Sequence, residues 1–130
     1  MNLVDSCGWL EFLADGPNSS FFARPLADTK NLLVPTICLL EVFKRTLQQR
    51  GEEAALEVAA LMQQGTMVDL DTAIALDAAD VGLDRKLPLA DAVIVATARA
   101  HGATIWTQDA HFEGLPGVRF RSAIRAPRGR

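Results

Sequence analysis

The stretch from residue 87 to residue 112 constrains the fold most, because a helix, a glycine stop and a short strand follow one another in it directly. Pro88 precedes a run rich in Ala, Val and Ile, and Gly102 stands where a glycine is expected to end the helix. The apolar segment 103–106 then predicts a short strand. A helix that leads straight into a strand is typical of a parallel sheet covered by helices.

The same stretch carries two acidic residues at special positions. Asp91 lies in the first turn of the otherwise apolar helix, and Asp109 comes just after the strand. In open α/β sheets, ligands bind at the carboxyl ends of the strands. The two carboxylates therefore predict a ligand site at that edge of the sheet.

Short apolar segments alternate with helical patterns along the rest of the chain, which predicts an α/β/α sandwich around a short, mainly parallel sheet of four to five strands. The other expected strands cover residues 2–5, 32–34, 66–70 and 118–120. The other expected helices cover 6–14, a segment with Phe21, Phe22 and Leu26, then 36–51, 52–64 and 71–83. The residues expected to cap helix N-termini are Ser6, Thr36 and Asp71.

The length of 130 residues predicts a single domain over residues 1–124 and a basic, disordered tail over 125–130. No segment approaches the ~18 apolar residues of a membrane span, and the first residues lack the basic region of a signal peptide. A cytoplasmic location is therefore expected. Cys7 and Cys38 have no metal-binding spacing, and both are expected to be small, buried and reduced.

The charge is unevenly distributed along the chain. The formal net charge is −3, yet five of the 13 basic residues lie in segment 118–130, which contains no acidic residue. The remaining body of the protein is strongly acidic. An acidic body is a poor match for simple binding to a phosphate backbone, and it is easier to understand if some of the acids hold cations.

Two further acids stand near the expected sheet edge. Asp5 ends the first strand, where it is either a turn or cap residue or part of a site, and Ser6 is also able to supply the cap. Glu41 interrupts an apolar helical segment, where it either pairs with Arg45 for ~0.2–0.5 kcal/mol or faces the same site. Taken singly, Asp91 also fits a solvated charge at a helix start and Asp109 a turn aspartate.

Taken together, the four acids favour a metal site. Converging carboxylates repel one another and have raised pKa values unless a cation lies among them. A set of oxygen ligands without Cys or His indicates Mg²⁺ or Mn²⁺, and such an ion is suited to phosphodiester hydrolysis by an activated water. No Ser, Cys or His nucleophile is then needed. His111 is close enough to Asp109 in sequence to contact a substrate, but it is assigned no catalytic role.

Four motifs resemble those of the PIN-domain ribonucleases, and most of all the VapC-like toxins of type II (VapBC) toxin–antitoxin systems. The motifs are Val4-Asp5-Ser6, Leu40-Glu41-Val42, the segment 89–98 with His101-Gly-Ala, and the segment 106–112. The resemblance implies a PIN-like fold in which Asp5, Glu41, Asp91 and Asp109 surround one or two Mg²⁺ or Mn²⁺ ions.

The same resemblance implies further features. Ser6 and Thr107 would be hydroxyl groups that orient the carboxylates. The substrate would be RNA, often transfer RNA, the protein would be a homodimer, and a VapB-like antitoxin would block the site. Gln108 occupies a position that varies in the family and is assigned no role. The arginine-rich tail is either a solubilising end or an arm that contacts the RNA backbone.

Two other functions stay open at this point. One is a catalytically inert PIN-like module that binds RNA or a protein, although a pure binder has no reason to gather four repelling carboxylates. The other is a Mg²⁺-dependent phosphatase, which is disfavoured because no Asp-x-Asp motif follows the first strand.

Overall fold

A five-stranded parallel sheet forms the centre of the molecule in the computed structural model, which describes residues 1–124. The strands are β1 (Asn2–Val4), β2 (Leu32–Pro35), β3 (Thr66–Val68), β4 (Thr104–Thr107) and β5 (Val118–Phe120). Their order in the sheet is β3-β2-β1-β4-β5, and every neighbouring pair is parallel. The predicted tail 125–130 lies outside the described residues.

Within residues 1–124, six α-helices connect and cover the strands, which confirms the predicted α/β/α class. They are α1 (Ser6–Leu13), α2 (Ser19–Ala27), α3 (Thr36–Arg50), α4 (Glu52–Met62), α5 (Thr72–Arg85) and α6 (Leu89–His101). The described part of the chain also has two 3₁₀ turns, at Thr29–Asn31 and Ala110–Phe112. Within residues 1–124, no helix is long and apolar enough to cross a membrane.

The strand order fixes the place of the site. From the central strand β1, the chain builds outward through β2 and β3 on one side, and through β4 and β5 on the other. Leu3 of β1 pairs with Leu33 of β2 and with Ile105 of β4. The order therefore reverses at β1, and a crevice opens at such a reversal beyond the carboxyl ends of the strands. Asp5 and Asp109 follow β1 and β4 at this edge.

Helix α6 lies deep in the core. All seven residues from Ala92 to Ala98 are buried, as the run of Ala, Val and Ile predicts. Gly102 ends the helix in the left-handed region at φ 61°, as predicted. Because α6 is buried almost from its start, Asp91 in its first turn stands where the core meets the edge of the sheet.

The structure corrects two predicted helix caps. Asp5, not Ser6, caps α1, because the Asp5 backbone is extended and its carboxylate accepts a hydrogen bond from the Gly8 N–H. Pro35, not Thr36, precedes α3. The third prediction is confirmed, since the Asp71 side chain accepts a hydrogen bond from Ile74 N–H at 2.9 Å.

Candidate active site

The four carboxylates singled out in the sequence line one cleft at the carboxyl edge of the sheet. Asp5 lies beyond β1, Asp109 beyond β4, Glu41 on α3 and Asp91 on α6. The cleft has a volume of about 320 Å³. Its other lining residues are Ser6, Cys7, Leu10, Arg45 and Ile94.

Asp5 is the most enclosed of the four acids, with 3% of its surface exposed. Its Oδ1 accepts from Gly8 N–H at 2.9 Å, and its Oδ2 accepts from the Thr107 hydroxyl at 2.6 Å. The Cys7 thiol donates to the same carboxylate at 3.0 Å. Burial raises the pKa of Asp5 to about 6, while the hydrogen bonds from Thr107, Cys7 and Gly8 oppose that rise.

The Thr107 hydroxyl links two of the acids. It donates to Asp5 Oδ2 and accepts from the Asp109 N–H at 2.9 Å. The Asp109 carboxylate in turn caps the 3₁₀ turn at Ala110–Phe112 by accepting from His111 N–H at 2.9 Å. One buried hydroxyl therefore fixes the Asp5 carboxylate relative to the backbone that carries Asp109.

Asp91 and Asp109 meet at the imidazole of His111. His111 Nδ1 lies 2.9 Å from Asp91 Oδ2 and 3.1 Å from Asp109 Oδ1. Burial raises the pKa of Asp91, the charge of Asp109 raises it further, and His111 opposes both effects. A cation between these carboxylates would relieve the repulsion.

Glu41 is held by a hydroxyl on the facing helix. Ser6 Oγ donates to Glu41 Oε1 at 2.6 Å, across α1 and α3. The alternative pairing of Glu41 with Arg45 is absent from the ion pairs of residues 1–124. Arg45 instead lines the cleft with an exposed side chain. The hydroxyls of Ser6 and Thr107 thus each contact a carboxylate of the cleft.

Sequence reasoning missed Cys7, which lines the cleft, and His111, which lies beside it against Asp91 and Asp109. Cys7 was expected to be buried, but it is partly exposed, lines the cleft and donates to Asp5, because the first turn of α1 directs it there. Burial raises the pKa of its thiol, and the charge of Asp5 raises it further. His111 received no role although it contacts two acids. In the sequence, each of these residues stands two positions after an acid, Cys7 after Asp5 and His111 after Asp109. This spacing is the signal that could have identified them.

The donor set fits a divalent cation. Asp91, Asp109 and His111 each offer one ligand atom, and these atoms lie within 4.8 Å of one another. Asp5 and Glu41 line the same cleft, but their carboxylates do not belong to this group of ligand atoms within 4.8 Å. Oxygen-rich sites of this kind suit Mg²⁺ and Mn²⁺, so the residues present are chemically able to hold the ion that the sequence predicts.

Fold and site together define a class of protein. The PIN-domain family model matches residues 3–118, and this chain belongs to the PIN-domain family. None of the curated proteins matches the sequence.

Solved structures share the fold along most of their length. A chain of a toxin–antitoxin complex from Klebsiella pneumoniae is 23% identical, with a TM-score of 0.77 over 92% of this chain and 96% of that one. VapC20 of Mycobacterium tuberculosis, described as a sarcin–ricin loop cleaving toxin, is 18% identical, with a TM-score of 0.74 over 91% and 97%. A chain of a DNA-bound VapBC from Salmonella typhimurium is 20% identical, with a TM-score of 0.71 over 94% and 98%. At these identities the likeness shows the fold.

Proposed function

We propose that this protein is a divalent-metal-dependent endoribonuclease and acts as the VapC-like toxin of a toxin–antitoxin pair. The observation that carries the proposal is the convergence of Asp5, Glu41, Asp91 and Asp109 on one cleft of a PIN fold. Nothing in the packing of a stable core requires four carboxylates at one place, since unpaired like charges destabilise it. A function that uses them explains why they are together.

The electrostatics of the cleft favour a bound cation. The pKa values of Asp5 and Asp91 are both raised by burial, so keeping these carboxylates charged at neutral pH costs free energy. A bound Mg²⁺ or Mn²⁺ supplies an acidic water and stabilises negative charge on the phosphodiester. The two raised pKa values thus support a role for these carboxylates as ligands.

The chain's own residues take the following roles in this proposal. The metal is held by the four carboxylates of Asp5, Glu41, Asp91 and Asp109. The Ser6 hydroxyl keeps the Glu41 carboxylate oriented, and the Thr107 hydroxyl keeps that of Asp5 oriented.

The exposed guanidinium of Arg45 lines the same cleft. Arginine binds phosphate oxygens through charge-assisted, often paired hydrogen bonds. We assign Arg45 to the RNA backbone next to the cleaved bond, where it would position the substrate against the carboxylates.

The structural neighbours support the antitoxin partner in this proposal. Chains of toxin–antitoxin complexes from Klebsiella pneumoniae and Salmonella typhimurium share this fold, as does a sarcin–ricin loop cleaving toxin of Mycobacterium tuberculosis. On this ground we assign this chain a VapB-like antitoxin. On the resemblance of its sequence motifs to those of VapC-like toxins, we assign it a homodimeric state and an RNA substrate, such as transfer RNA or another structured or single-stranded RNA. The lack of an apolar segment long enough to span a membrane and of a signal peptide in the sequence supports a cytoplasmic location.

The test is an assay of purified protein, freed of any copurified partner, on end-labelled total RNA. Reactions contain Mg²⁺, Mn²⁺ or EDTA, and they compare wild type with Asp91→Asn and with Asp77→Asn. Asp77 is an exposed aspartate of α5, so its variant controls for the same chemical change outside the cleft. We expect discrete products with either metal and none with EDTA. Of the two variants, only Asp91→Asn should cleave more slowly, by at least about 100-fold. Loss of a residue that merely hydrogen-bonds to a metal ligand already lowers activity by about 10–100-fold, and loss of a ligand should cost at least as much.

Two outcomes would contradict the proposal. Full activity of Asp91→Asn would show that the cleft is not the catalytic site. Absence of cleavage by folded wild type with every metal would favour an inert module that binds RNA or a protein, and a rise in melting temperature with RNA but not with metal would identify it.

A further inference from the structure

We propose that His111 is itself a metal ligand through Nδ1, so that the site has a mixed nitrogen and oxygen donor set and binds Mn²⁺ in preference to Mg²⁺. This inference rests on the metal site of the proposed function and adds a donor to its four carboxylates. It concerns binding of the ion, so it is testable without measuring RNA cleavage.

The spacing of the ligand atoms supports this role. His111 Nδ1 lies 2.9 Å from Asp91 Oδ2 and 3.1 Å from Asp109 Oδ1. An ion with octahedral geometry and bonds of ~2.1 Å has neighbouring ligands ~3.0 Å apart. The imidazole nitrogen therefore already stands at the distance that two adjacent ligands of one ion would have from each other.

The backbone of His111 is fixed while its ring is accessible. Its N–H donates to the Asp109 carboxylate, and the next residue, Phe112, is fully buried. The His111 side chain is 58% exposed. The turn at Ala110–Phe112 thus anchors the residue at the cleft, and the ring is free to rotate and exchange a hydrogen bond for a bond to an ion.

The same distances also fit a second arrangement, in which His111 only donates a hydrogen bond to Asp91. In that arrangement the imidazole competes with the ion for the carboxylates. Its removal would then strengthen the binding of Mg²⁺ and Mn²⁺ alike, or leave both unchanged. The two arrangements therefore predict different effects of one substitution, since only a ligating His111 makes its removal weaken the binding of Mn²⁺.

Ligand chemistry determines the expected selectivity. Imidazole suits first-row transition ions, whereas Mg²⁺ prefers oxygen ligands and keeps several waters. If His111 is a ligand, its loss weakens the binding of Mn²⁺ more than that of Mg²⁺. If it is not, the two ions respond equally.

The experiment measures Mn²⁺ and Mg²⁺ binding to metal-free protein by calorimetry, with electron spin echo spectroscopy of the bound Mn²⁺. His111→Ala is compared with wild type and with His101→Ala, which removes the only other histidine. We expect His111→Ala to weaken Mn²⁺ binding about 10-fold or more and Mg²⁺ binding less. The ¹⁴N modulation of a ligated imidazole should be present in wild type and His101→Ala and absent in His111→Ala. A thermal unfolding curve of His111→Ala verifies that the variant is folded.

The outcomes separate this inference from the proposed function. If Mn²⁺ binds without a ¹⁴N signal, and His111→Ala binds both ions as tightly as wild type or more tightly, His111 is not a ligand and the carboxylate site stands. If neither ion binds wild type at millimolar concentration, the inference and the metal site both fail.

Discussion

The two walls of the acidic cleft are built differently. On one wall, Asp5 is 3% exposed and accepts hydrogen bonds from Gly8, Thr107 and Cys7. On the other wall, the side chains of Asp91 and Asp109 are 14% and 29% exposed. These two acids are joined to each other by the exposed imidazole of His111.

The two walls differ in how firmly folding alone orients their carboxylates. Asp5 caps α1 and is tied to β4 through Thr107, so its orientation is set as soon as these elements pack. The contact between Asp91 and Asp109 depends on an exposed ring, and such contacts contribute little stability. We infer that the first wall is preorganised and that the second wall adjusts to the ion and the substrate.

The largest expected effect concerns Asp5 and pH. Its pKa is about 6 in the folded protein against an ordinary value of 3.8. Between these pH values the folded state retains a proton that the unfolded state has lost, so the free energy of unfolding falls as pH rises. The shift corresponds to ~3 kcal/mol. Asp5→Asn, which keeps an oxygen for the helix cap, should abolish this fall.

Urea unfolding in EDTA, at several pH values from about 4 to about 7, measures this effect. The stability of Asp5→Asn should rise relative to that of wild type across the window and stay level above it. The control variant Asp77→Asn should give no such divergence. Parallel curves for wild type and Asp5→Asn would mean that folding does not raise the pKa of Asp5, and would contradict this difference between the two walls.

A smaller effect compares the two walls directly through Thr107→Val and His111→Ala. Thr107→Val removes a buried hydroxyl from a carboxylate and should cost ~1–3 kcal/mol of unfolding free energy. His111→Ala removes an exposed contact and should cost at most ~1 kcal/mol. Urea unfolding at neutral pH in EDTA measures both, and Thr107→Ser should recover most of the first loss. Equal costs for the two variants would contradict the difference between the walls.

Most of the fold could be predicted from local patterns. The buried run of α6, its end at Gly102 and the short strand after it are all encoded in consecutive residues. The cap of α1 could not be predicted, because Asp5 and Ser6 are both good caps. In the structure the Asp5 carboxylate caps the helix, and the Ser6 hydroxyl instead donates to Glu41, which is 35 residues away in sequence.

The acids of the cleft were predictable for a different reason. Parallel strands end at the same edge, so Asp5 and Asp109 had to come close once β1 and β4 were neighbours. The contact of His111 with Asp91 joins residues 20 apart on separate elements, and no local pattern encodes it. The sequence thus predicts which carboxylates converge but not which other side chains complete the cleft.

The most direct test of the central claim is the single-turnover rate of RNA cleavage with Mn²⁺, measured for four variants side by side. The variants are Asp5→Asn, Glu41→Gln, Asp91→Asn and Asp109→Asn, with Asp77→Asn as the control. If the four carboxylates form one metal-dependent catalytic centre, each of the four variants should be slower than wild type by at least about 100-fold, and the control should match wild type. Four variants that cleave as fast as the control would contradict the assignment of the cleft as the active site.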